Sequence, residues 1–113
     1  MKAEFEKNML IASELLSYCH LRGATEFHLD VTVKNGATVF EIKAFPANIT
    51  GVEMERLRRK LNAPRQREIE QDFWGLSGES EITSELTLVG MMSDEAVVKY
   101  DDNTLYITIT RLL

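Results

Sequence analysis

The chain has 113 residues, of which 44% are apolar and 27% charged, and a net charge of −5 at neutral pH. That length predicts one domain over residues 1–113, large enough to bury a core without staples. The acidic balance argues against a nucleic-acid partner, whose docking surface is normally basic.

Residues 5–21 come first, with Phe5, Met9, Ala12, Leu16 and Cys19 at spacings of three and four and Ile11, Leu15 and Tyr18 broadening the stripe. This predicts a long amphipathic helix with a wide buried face, stopped by Gly23. The acidic start, with Glu4 and Glu6, lacks the basic region of a signal peptide, and no stretch approaches the ~18 apolar residues of a membrane span. A cytoplasmic protein without membrane contact is expected. The single cysteine, Cys19, offers neither a disulfide framework nor metal-ligand spacing, and reads as a small buried apolar residue.

From Phe27 the period changes to two. Phe27, Leu29, Val31 and Val33 alternate with polar residues, Asn35-Gly36 supplies a tight turn, and Phe40, Ile42 and Ala44 return. A hairpin with one covered face follows. Thr50 and Glu53 form a capping box ahead of a helix carrying Met54, Leu57 and Leu61, which Asn62-Ala63-Pro64 ends. Pro64 suits the first position of a further helix reaching Trp74, with Ile69 and Phe73 on its apolar side. Gly75 and Gly78 bracket a loop.

Residues 84–92 fit a helix through Leu86, Val89 and Met92, or a strand through Leu86, Leu88 and Gly90; periodicity does not choose. Residues 96–100, a turn at Asp101-Asp102-Asn103, and Leu105, Ile107 and Ile109 form a second hairpin. The order implies an α/β chain of the α+β two-layer type, a mainly antiparallel sheet with helices on one face. Phe27, Leu29, Val31, Val33, Phe40, Ile42, Leu105, Ile107 and Ile109 are expected on that covered face.

Met91-Met92-Ser93-Asp94-Glu95-Ala96-Val97-Val98, a turn, and Leu105-Tyr106-Ile107-Thr108-Ile109 resemble the C-terminal helix and hairpin of bacterial anti-sigma-factor serine kinases. These belong to the histidine-kinase-like ATPase superfamily, the GHKL or Bergerat fold. The N-terminal half is similar too: Glu14-Leu15-Leu16 in a helix, then strands leading toward an Asp-x-Gly-x-Gly box. The resemblance implies a mixed, mainly antiparallel sheet, makes 84–92 a helix, and places the departures on function. The family's magnesium-holding Asn would stand at Tyr18, its adenine-reading Asp at Ala44, two glycines of its box at Pro46 and Asn48, and phosphate-facing glycines near Thr83 and Glu85. An alanine methyl accepts no hydrogen bond, and an unpaired adenine amino group costs ~1–3 kcal/mol. Proline removes a donor and fixes φ where glycine allowed close approach. The resemblance therefore implies a scaffold without its cofactor, no catalytic residue and no metal.

Six of the thirteen basic residues fall between Arg56 and Arg67, including Arg58, Arg59, Arg65 and Arg67. They either receive an acidic surface or phosphate, or answer the helix dipole and pair with nearby glutamates. Phe73-Trp74 reads equally as an interface anchor or as core. His20 and His28 have no metal spacing. The expected function is a non-catalytic regulatory or protein-interaction module binding a protein partner or a second copy. The alternatives are a small-molecule site in the remodelled cavity, marked by an apolar pocket near Tyr18, Ala44, Ile49 and Leu86, and a divergent ATP-dependent serine kinase.

Overall fold

Two hairpins build the sheet in the computed structural model, which describes residues 2–67 and 85–113, with residues 2, 3 and 85 described by their backbone alone. Strand β1 (Glu26–Lys34) pairs with β2 (Ala37–Phe45) without a break in register, from Glu26 opposite Phe45 to Lys34 opposite Ala37. Asn35 (φ 54°) and Gly36 (φ 77°) make the left-handed two-residue turn that matches strand twist. Strands β3 (Glu95–Asp101) and β4 (Thr104–Leu112) repeat the device with Asp102 (φ 50°) and Asn103 (φ 60°). The short polar side chains of Asn and Asp tolerate that region better than other residues do. The strands lie in the order β1-β2-β4-β3, and every described ladder is antiparallel, where the resemblance implied a mixed sheet.

Three described helices accompany the sheet: α1 (Lys2–Leu21), α2 (Gly51–Leu61) and α3 (Glu85–Met91). The third settles the ambiguous segment as helical. Helix α1 stops where Gly23 (φ 96°) turns the chain and its N–H donates to the His20 carbonyl at 2.9 Å. The capping box is complete: Thr50 Oγ1 accepts from Glu53 N–H at 3.1 Å, and Glu53 Oε1 accepts from Thr50 N–H at 2.8 Å. Asn62 closes α2 as foreseen, but residues 64–66 are not helical. Pro64 therefore does not open a helix, and the remainder of that expected element lies outside the described residues. Among the described residues no helix is long and apolar enough to cross a membrane.

The helices cover one face. Phe40, Leu105, Ile107 and Ile109 are fully buried there together with Ile11, Leu15 and Cys19 of α1 and Leu57 and Leu61 of α2. α1 lies over β2 and α2 over β3, with α3 packed on both helices. Cover therefore runs out at β1. Phe27, Leu29 and Val31 are only half-buried and Val33 is 64% exposed, so the expectation of a covered Val33 fails at the sheet's margin. The expected stripe of α1 is also rotated. Ile11, Ala12, Leu15 and Cys19 form its buried centre, while Phe5 (62% exposed) and Met9 (40%) stand in solvent.

One charged side chain crosses into the core. Arg111 is buried on β4, donating from Nη1 to the Met92 carbonyl at 2.8 Å and from Nη2 to Glu4 Oε1 at 2.8 Å. It clasps the start of α1 to the end of β4. Burial alone would push the Glu4 carboxyl up, but the Arg111 hydrogen bond and charge, with Lys7, bring it below its ordinary value.

Helix α3 meets α2 at Gly90 with no space for a side chain. A Cβ there would sit 2.1 Å from the Lys60 carbonyl oxygen and 3.1 Å from that of Leu61. Gly90→Ala is expected to lower unfolding free energy by at least the 1–3 kcal/mol typical of overpacking, as read by thermal and denaturant melts; an unchanged midpoint would mean that the helices separate freely. Burial likewise pushes the Cys19 thiol up to about 12. Native protein at pH 8 should react with a thiol reagent only as fast as it opens, and denaturant should release the reaction.

Candidate functional site

Of the positions that the resemblance assigns to a nucleotide, Tyr18, Ala44, Pro46 and Asn48 fall at one end of the described structure. The C-terminal turn of α1, the connection from β2 to α2 and the first turn of α2 meet there. Asn48 N–H donates to the Arg22 carbonyl at 2.9 Å, and Thr25 N–H to the Phe45 carbonyl at 3.2 Å, tying α1's exit to the end of β2. Ala47 is held from the other side, its N–H donating to the Asn103 carbonyl at 2.7 Å and its carbonyl accepting from the Tyr100 hydroxyl at 2.6 Å. The peptide before Pro46 is cis.

Ala44 lies under this connection, fully buried between Phe27 and Leu105 in the ladders. Its methyl belongs to the core. Ile49 and Leu86 are buried as well, so the apolar pocket sought around Tyr18, Ala44, Ile49 and Leu86 is packed rather than hollow at Ala44 and Ile49. Pro46 and Asn48 are exposed above it.

Tyr18 is half-buried and borders a cleft of about 170 Å³ with Arg22, Glu53, Arg56, Lys60 and Leu86. That volume falls below the ~300 Å³ usual for a pocket enclosing a drug-sized ligand, whereas the hollow across Arg22 and Glu53 measures about 470 Å³. At its mouth Arg22 forms an ion pair with Glu53 and lies 5.5 Å from the centre of the Tyr18 ring, a cation–π contact. Burial pushes the Tyr18 hydroxyl up, against the lowering pull of Arg22. With its hydroxyl raised above the ordinary value, Tyr18 is a neutral phenol near physiological pH. Asn48, Thr50 and Glu53 line an adjoining hollow on the other side of Arg22.

The Arg22–Glu53 pair is the centre of this site, and sequence reasoning saw Glu53 only as a cap. A signal was present, since Arg22 stands four residues after Tyr18, the spacing at which helical side chains touch. Glu53 accepts from the Thr50 backbone and from Arg22, and these hold its carboxyl down to about 2.

The arginine-rich segment separates into distinct environments. Arg58 donates from Nη2 to the Val98 carbonyl at 3.2 Å and pairs with Glu55 at 3.3 Å, whereas Arg59 is exposed. Arg65 is drawn inward: its Nη1 contacts Asp94 Oδ2 and the Leu112 carbonyl, each at 2.5 Å, and Asp94 also accepts from Leu112 N–H. Arg67 adds a 3.3 Å bond to the same Leu112 carbonyl. These two arginines fasten the segment after α2 to the ends of β3 and β4. Phe73, Trp74, Thr83 and the side chain of Glu85 lie outside the described residues. No group of three His, Cys, Asp or Glu residues placed to hold a metal ion occurs among the described residues.

Because the folded Glu53 carboxyl sits far below its ordinary 4.5, the stability it contributes is complete above the unfolded value and disappears as pH falls through the folded one. The stability difference between the wild type and Glu53→Gln should be constant above about pH 5 and shrink toward pH 2. A difference independent of pH in acid denaturation would show that the carboxylate has no partner in solution. Comparison of the chain with family models, curated proteins and solved structures finds no significant match.

Proposed function

We propose that this chain is a non-catalytic regulatory or protein-interaction module on a degenerate histidine-kinase-like ATPase scaffold. The observation that carries the reading is the occupation of the would-be nucleotide end by the protein's own groups. Arg22 and Glu53 neutralise each other across the cleft mouth over Tyr18, and Ala44 is part of the core. A nucleotide entering there would have to break that pair and would meet no carboxylate at Ala44 to accept from an adenine amino group, a loss of ~1–3 kcal/mol. The order of elements, a long helix and a hairpin followed by helices and a second hairpin, agrees with the scaffold.

A small-molecule site is the second reading, and one feature favours it: Arg22, Arg56 and Lys60 border the cleft against the single carboxylate of Glu53. A compact anion suits that balance better than a nucleotide. Under either reading the chain acts by binding; under the first its partner is a protein or a second copy of itself rather than a nucleic acid.

Calorimetric titration with magnesium-ATP tests the proposal. No heat of binding is expected at protein concentrations near 100 μM, which would detect dissociation constants into the hundreds of micromolar; a low-micromolar constant, about −8 kcal/mol, would overturn the reading. Phosphate or pyrophosphate binding that Arg56→Ala and Lys60→Ala abolish would support the small-anion alternative instead.

A further inference from the structure

The two edges of the sheet are treated differently. β3 lies against α2, and Arg58 donates to its Val98 carbonyl. Among the described residues β1 draws its ladder from β2 alone, and no described strand pairs with its other edge. Proteins ordinarily blunt such an edge with charged side chains, a bulge, a proline, an inward-pointing charge or a very short strand. β1 carries charges only on its outward face, at Glu26, Asp30 and Lys34, and has none of the other devices. It is nine residues long, its register is continuous, and its inward side chains are Phe27, Leu29, Val31 and Val33.

An apolar flank of α1 runs beside that edge. Glu4 reaches Arg111, which stands opposite Thr38 and so level with Val33, while α1's last turn leads directly into β1. α1 therefore runs antiparallel to β1, with Phe5 at the Val33 end and Leu16 toward the Phe27 end. Tyr18 marks the flank of α1 that faces α2 and α3. Phe5, Met9 and Leu16 fall on the opposite flank at helical spacing, and this flank faces the bare margin of the sheet. Phe5 and Val33, both more than 60% exposed, belong to the same end of the fold by this alignment.

We infer that a second copy of this chain covers that margin, β1 pairing antiparallel with its own counterpart about a two-fold axis at Asp30. The inference rests on the reading of the chain as an interaction module and names its partner. Charge selects the occupant. β1 carries Glu26 at one end and Lys34 at the other, so an antiparallel copy sets each Glu26 opposite a Lys34, twice over in an isologous interface. Glu26 contacts His28 at 2.6 Å but remains more than half exposed and within reach of such a partner. The same register sets Phe27 opposite Val33 and Leu29 opposite Val31, burying the row that α1 leaves half-bare, and it unites the two four-stranded sheets into one. Asp30 meets its own copy on the axis. That is the one unfavourable pair, and it fixes a signature of this register.

Sedimentation equilibrium of the full chain over micromolar to millimolar concentration tests the pairing, with circular dichroism verifying the fold of each variant. The wild type should dimerise. Lys34→Glu, which sets like charges together at both ends, should raise the dimer dissociation constant about tenfold, and Glu26→Lys combined with Lys34→Glu should recover it. Asp30→Asn should tighten the dimer by relieving the axial repulsion. A wild type that stays monomeric throughout overturns the inference, as does a double variant that fails to recover. A dimer indifferent to these charges would place self-association on another surface, overturning β1 pairing while leaving the interaction reading intact; a dimer weakened by Asp30→Asn would overturn the register. Magnesium-ATP binding, by contrast, would remove the underlying reading whatever the oligomeric state.

Discussion

Phe40, Ile42, Leu105, Ile107 and Ile109 stand side by side across the ladder between β2 and β4, and removing that surface from water is the favourable term on which the other elements depend. A sheet with one apolar face needs a covering layer. α1 and α2 supply it, and their side chains are chosen for that purpose: Ile11, Leu15 and Cys19 on one helix, Met54, Leu57 and Leu61 on the other. Gly90 lets α3 press against the end of α2 where any side chain would collide with backbone, which closes the layer between the longer helices.

The layer is then fastened at its margins by polar contacts rather than by further apolar surface. Arg111 reaches from inside β4 to the start of α1, and Arg65 and Asp94 join the segment after α2 to both strands of the second hairpin. Arg22 and Glu53 join the end of α1 to the start of α2. Each clasp ties elements distant in sequence, and each carboxylate involved is held below its ordinary value by its partners. The third clasp joins the helices at the end of the fold where the resemblance expects a ligand. Two helices of finite width leave the outermost strand of a four-stranded sheet with its apolar side half in water. That geometric remainder leaves Phe27, Leu29 and Val31 half-buried and Val33 exposed.

Periodicity, turn chemistry and capping by themselves determined the local structure. The change from a three-to-four spacing to strict alternation at Phe27 placed α1 and β1, Asn35-Gly36 placed the first turn, and Thr50 with Glu53 placed the start of α2. These signals act over a few residues, through backbone conformations that only certain side chains permit, so they survive without knowledge of the fold. The alternation also marked which side of each strand faces inward, including Val33. It did not reveal how far the helices extend over that side.

Tertiary structure decided what depends on neighbours distant in the chain. Residues 84–92 had apolar positions for either period, and contact with α1 and α2 selected the helix. Phe5 and Met9 belong to the apolar stripe of α1 by spacing, yet they stand to one side of the centre that packing buries at Ile11, Leu15 and Cys19. Arg65 and Arg67 looked like members of a basic patch, because nothing nearby in sequence announces Asp94 or the Leu112 carbonyl, which stand 29 and 47 residues beyond Arg65. The same holds for Arg22 and Glu53: each was visible in its own helix, as a residue after Tyr18 and as a cap, and only the packing of α1 beside α2 made them a pair.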